Sequence, residues 1–79
     1  MKVRVDVMLK QGVLDPQGKA ITHALSHLGF SGIGEVRVGK TIELELAETD
    51  AAKVAETAAA MAQKLLANQV IEDFRVTVL

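Results

Sequence analysis

Val3, Val5, Val7 and Leu9 alternate with Lys2, Arg4, Asp6 and Met8, the period-two signature of a strand with one buried face. The alternation stops at Gly12. Asp15 is suited to accept hydrogen bonds from the first free amides of a helix, and Pro16 directly after it suits the first helical position, where no amide donor is needed. The stretch Lys10-Gln11-Gly12-Val13-Leu14-Asp15-Pro16-Gln17-Gly18 is therefore a fixed strand-to-helix junction. The rest of the chain has to be arranged around it.

The spacing of Ala20, Ile21, Ala24, Leu25 and Leu28 predicts an amphipathic helix from about Pro16 to Leu28. Gly29 falls where a left-handed C-terminal cap is wanted. After the glycine-rich Phe30-Ser31-Gly32-Ile33-Gly34, alternation returns at Val36 and Val38 around Arg37, and again at Ile42, Leu44 and Leu46 against Thr41, Glu43 and Glu45. Two short strands about Gly39-Lys40 read as a hairpin. Thr49 or Asp50 caps a second helix, whose stripe Val54, Ala58, Met61, Ala62 and Leu65 runs to about Ala67. Phe74, Val76 and Val78 mark a last strand.

Strand, helix, strand, strand, helix, strand, with right-handed crossovers, predicts an α+β fold: a ferredoxin-like βαββαβ two-layer sandwich, with a four-stranded antiparallel sheet and both helices on one face. The sheet's other face, carrying Arg4, Asp6, Met8, Arg37, Glu43, Glu45 and Arg75, is either a solvated surface or a contact with another subunit.

Residues 1–79 make one domain, and a domain this small hides only about 60% of the surface its unfolded chain exposes. No cysteine is present to supplement the core with disulfides. Association with further copies is the expected supplement. A net charge of -1, with no Tyr or Trp, supplies neither a basic stripe nor stacking platforms for nucleic acid. No apolar run approaches the roughly 20 residues of a membrane span, which points to a cytoplasmic protein with no membrane partner.

Gly34-Glu35-Val36-Arg37-Val38-Gly39-Lys40-Thr41 fits the phosphate-binding G-x-x-x-x-G-K-[ST] pattern letter for letter. That loop needs a strand before it and a helix after it. Here strand alternation runs through the motif and beyond it, so a turn is expected. His23 and His27, four apart on a helix, are two ligands without a third, and read as solvent-facing or interface residues. The carboxylate pairs Glu43 with Glu45 and Glu72 with Asp73 stand without a nucleophile or metal set, so ion pairing explains them at least as well as catalysis. No catalytic, metal-binding or cofactor-binding residue is assigned.

Gly12-Val13-Leu14-Asp15-Pro16-Gln17-Gly18, Ala24-Leu25, Leu28-Gly29-Phe30, Val36-Arg37-Val38-Gly39-Lys40, Lys64-Leu65-Leu66-Ala67-Asn68 and Val70-Ile71-Glu72-Asp73-Phe74 together resemble the PurS subunit of formylglycinamidine ribonucleotide (FGAM) synthase. The resemblance covers almost the whole chain. It departs at Gln69, where the family usually has proline, and at Phe74, where it often has tyrosine. It implies a small, non-catalytic, self-associating subunit of purine biosynthesis, a homodimer or higher oligomer. This subunit bridges a glutaminase (PurQ) and an ATP-dependent synthetase (PurL), so that ammonia from glutamine reaches formylglycinamide ribonucleotide. ATP and Mg then belong to the synthetase, and this chain binds no cofactor. Gly12, Val13, Leu14, Asp15, Arg37, Gly39 and Lys40 are the positions that transfer as partner contacts. Two other classes share the strand-helix order: an ACT-like ligand-binding regulatory module, which Gly12 and Leu14 would suit, and an acylphosphatase-like enzyme, for which Lys10-Gln11-Gly12 lacks an arginine.

Overall fold

A computed structural model describes residues 1–79. Its elements are strand β1 (Lys2–Leu9), helix α1 (Pro16–His27), strand β2 (Gly39–Glu45), helix α2 (Ala51–Met61), extended by one π-helical turn (Ala62–Leu66), and strand β3 (Glu72–Val78). The three strands form one antiparallel sheet in the order β2-β1-β3. β1 is central, pairing Val5 with Ile42 on one side and with Val76 on the other. The alternation of β1 is realised: Val3, Val5 and Val7 are buried on the face that α2 covers.

The core is small. Val3, Val5, Val7, Val54, Ala58, Ala62 and Ala67 form it, with Ile42, Leu44, Leu66, Phe74 and Val76 among the residues packed partly against it. Val54, Ala58 and Ala62, at four-residue spacing, present a small-residue helix face that can approach a valine-lined sheet closely. The π turn then inserts one extra residue: the amide of Ala67 donates to the carbonyl of Ala62 at 2.9 Å, five residues back. The added residue rotates the helix end, so Leu66 packs against the core while Leu65 is 84% exposed. The 3.6-residue period that points Leu65 inward therefore holds only to Ala62, and Met61 is also exposed.

Two features of the expected sandwich are corrected. The sheet has three strands, not four, because residues 35–38 do not pair with a strand. Their polar groups are claimed elsewhere: Asp15 takes the Val38 amide, and the Arg37 guanidinium bonds the carbonyls of Leu9 and Lys10. Arg37 accordingly does not lie on the open sheet face. The second correction concerns α1, which does not share a sheet face with α2. It lies off the sheet, with Gly18 its sole buried residue. The molecule is correspondingly long, 49 × 24 × 15 Å with a radius of gyration of 16.0 Å, where a compact chain of this length has about 12 Å.

The open face of the sheet holds Arg4, Asp6 and Met8 from β1. Asp6 accepts hydrogen bonds from the Thr41 hydroxyl at 2.8 Å and from Arg4 Nε at 3.2 Å. These bonds hold its carboxyl below the usual carboxylate range, the Thr41 contact contributing most.

Candidate interaction site at the strand-helix junction

The expected cap forms at Asp15. Its Oδ1 accepts the Gly18 amide at 3.0 Å, in the third helical position, while its Oδ2 accepts the Val38 amide at 2.8 Å. One carboxylate thus starts α1 and anchors the segment that leads into β2. The Val38 and Gly18 amides, in that order, hold its pKa below the usual aspartate value, and the nearby Arg37 cation adds to them. The charge is also well placed against the positive end of the helix dipole.

Gly18 makes this crossing fit. A Cβ built on it would overlap the carbonyl oxygen of Val36 and stand 2.9 Å from its carbon. Residue 18 therefore has no room for a side chain. In the sequence Gly18 closes the strand-to-helix junction and the Gly12–Gly18 motif, with no sign there of which segment crosses it. A glycine in the first turn of a helix, where it weakens propensity, is the signal for such a close approach.

Arg37 works from the opposite side, donating to the carbonyls of Leu9 and Lys10, the latter at 3.1 Å. It closes the end of β1 against the 35–38 segment. Gly12, with φ of +83°, turns the chain between them. Gly39 and Lys40 open β2 opposite Met8 and Val7, and a Cβ on Gly39 would collide with the Met8 side chain. Of the expected contact residues, Asp15 is bonded to the 35–38 segment, Arg37 belongs to it and ties it to the end of β1, and Gly39 and Lys40 follow directly from it. Gly12, Val13 and Leu14 line a shallow hollow beside Asp15. Leu14 is 64% exposed at its rim.

The polar groups of this junction are spent on its own chain. The Asp15 carboxylate is committed to two amides and the Arg37 guanidinium to two carbonyls. The Gly34–Thr41 motif runs from irregular chain into the first residues of β2, so no helix amides converge there on a phosphate.

α1 ends in a complete C-terminal cap: the Gly29 amide donates to the Ser26 carbonyl and the Phe30 amide to the Leu25 carbonyl, each at 3.1 Å, with Gly29 at φ of +96°. Its stripe is unpartnered. Ile21, Leu28 and Phe30 are all exposed, and Leu25 is half-buried.

A family profile described as PurS, phosphoribosylformylglycinamidine (FGAM) synthase, matches residues 2–79. The chain belongs to the PurS family. It is 51% identical over 74 residues to the phosphoribosylformylglycinamidine synthase subunit PurS of Mycobacterium leprae, covering 92% of this chain and 89% of that one. PurS of Methanocaldococcus jannaschii, one of the subunits of formylglycinamide ribonucleotide amidotransferase in the purine biosynthetic pathway, superposes with a TM-score of 0.87 at 42% identity, covering 96% of this chain and 92% of that one. A chain of the PurLQS structure from Thermotoga maritima superposes with a TM-score of 0.88 at 31% identity, covering 99% and 95% respectively. The three-stranded sheet with two helices is thus the fold of a PurS chain.

Proposed function

We propose that this chain is the small assembly subunit of phosphoribosylformylglycinamidine synthase in purine biosynthesis, holding PurL and PurQ partners and at least one further copy of itself. It acts through shape. The chain's match to a component of PurLQS supports the partner set. The observation that carries the reading is the helix α1, whose apolar stripe meets no sheet of its own chain.

A second copy supplies that sheet. α2 packs over β1 and β3, while Ile42 and Leu44 on the inner side of β2 remain only half-buried. The position that a ferredoxin-like sandwich gives to its first helix lies over those residues. In the dimer, α1 of one copy occupies it on the other, so that each sheet carries two helices. Amidine formation, with its ATP and Mg, belongs to the synthetase, and release of ammonia to the glutaminase. The Asp15–Val38 junction, with Leu14 at its rim, is the rigid surface offered to those partners. The cytoplasm is the compartment in which the complex works.

Because the chain has no cysteine, introduced thiols report contacts cleanly. An Ile21→Cys chain mixed with an Ile42→Cys chain should give a disulfide-linked dimer on oxidation, and the full assembly should appear when wild-type chain, PurL and PurQ sediment together with glutamine and nucleotide. A monomeric chain that joins neither partner would end the proposal.

A further inference from the structure

The assembly role leaves a side-chain pair on α1 unused. His23 and His27 stand one turn apart, both exposed, with their Nε2 atoms 3.1 Å apart. Two nitrogens in adjacent positions on a metal, each bonded at about 2.0–2.1 Å, stand roughly 2.9–3.4 Å apart for bond angles between a right angle and the tetrahedral one. The observed separation falls inside that interval.

Ring orientation agrees with this. The ring centroids are 4.6 Å apart, and the planes meet at 74°. Rings joined end to end by a straight hydrogen bond would have their centroids further apart than this. The Nε2 axes are bent away from one line, as in a chelate.

The place on the helix also favours a cation. His27 closes α1, so the pair spans the last turns, where the helix dipole presents its negative end. Lys19, one turn before His23, is exposed and free to extend into solvent.

We propose that His23 and His27 form a two-nitrogen site for a divalent late first-row transition-metal ion, such as Ni2+ or Cu2+, with water in the remaining positions. Imidazole suits these ions, and their octahedral or tetragonal geometry places neighbouring ligands near a right angle. Such an ion staples one turn to the next. The ion binds the folded helix and not the unfolded chain, so it stabilises the fold by mass action, in addition to whatever sheet the helix packs on.

Isothermal titration of the full-length chain with NiCl2 near pH 7.5, where free imidazole is mostly deprotonated, tests the site, with NiCl2 alone as the probe. One Ni2+ per chain is expected, released by EDTA. Loss of even an outer-shell partner costs about tenfold or more in metal affinity, so His23→Gln and His27→Gln should each weaken binding by at least about tenfold. The thermal midpoint should rise with Ni2+ in the wild type and not in His27→Gln. Three results would overturn the site: no saturable binding, binding unchanged in both single variants, or binding lost only in the double variant. The last would mean two independent one-nitrogen contacts.

Discussion

Asp15 and Val38, 23 residues apart, are joined by a carboxylate-to-amide hydrogen bond of 2.8 Å, and the same carboxylate caps α1 through Gly18. The start of the helix and the approach to β2 are therefore one structural unit. Replacing Asp15 by Ala removes both bonds at once, and Asn keeps an acceptor without the charge. Hydrogen exchange of the Val38 amide should quicken by roughly fivefold or more in Asp15→Ala and by less in Asp15→Asn. Unchanged exchange at Val38 in Asp15→Ala would mean the segment is held by other contacts.

Acid should loosen the same unit. Asp15 and Asp6 both have carboxyls held below the usual 3.8, Asp15 chiefly by the Val38 amide and Asp6 chiefly by the Thr41 hydroxyl. A lowered folded-state value stabilises the fold fully above the unfolded value. That stability is lost as pH falls through the folded one. Thermal midpoints should therefore hold steady down to about pH 5 and decline below about pH 4. The double variant Asp6→Asn, Asp15→Asn should show a flatter decline, measured by scanning calorimetry across that range. An unaltered slope would assign the acid response to other carboxylates.

Gly18 and Gly34 make a paired test of close approach. Alanine at 18 would press its Cβ into the Val36 carbonyl, and overpacking of this kind costs about 1–3 kcal/mol. The gain in helix propensity, up to about 1 kcal/mol, offsets only part of it. Around Gly34 nothing lies within 4 Å, and its φ is not in the left-handed region. Gly34→Ala should therefore be neutral or stabilising by up to about 1 kcal/mol. Urea unfolding of the two variants should separate them in opposite directions. A Gly18→Ala chain as stable as wild type would contradict the tight crossing.

The local devices were legible in the sequence because each depends on neighbours. The alternation of Val3, Val5 and Val7, the cap at Asp15 before Pro16, the cap of α2, which falls on Asp50 of the two candidates Thr49 and Asp50, and the left-handed Gly29 all appear where short-range chemistry places them. What failed depends on distant partners. Val36-Arg37-Val38 alternates like a strand, but a strand needs a neighbour, and Asp15 and the carbonyls of Leu9 and Lys10 capture that segment first. The stripe of α1 was visible, whereas its separation from the chain's own sheet was not, since amphipathicity says that a helix buries a face and not against which chain. At Leu65, the single extra residue of the π turn breaks a periodicity that the preceding helix obeys.

In the proposed role this chain contributes assembly to a reaction carried out by its partners. The most direct measurement is glutamine-dependent amidine formation by purified PurL and PurQ, with and without the chain, beside an ammonia-fed reaction that needs PurL alone. The glutamine reaction should require the chain, and the ammonia reaction should not. Equal glutamine-dependent rates with and without the chain would contradict that role.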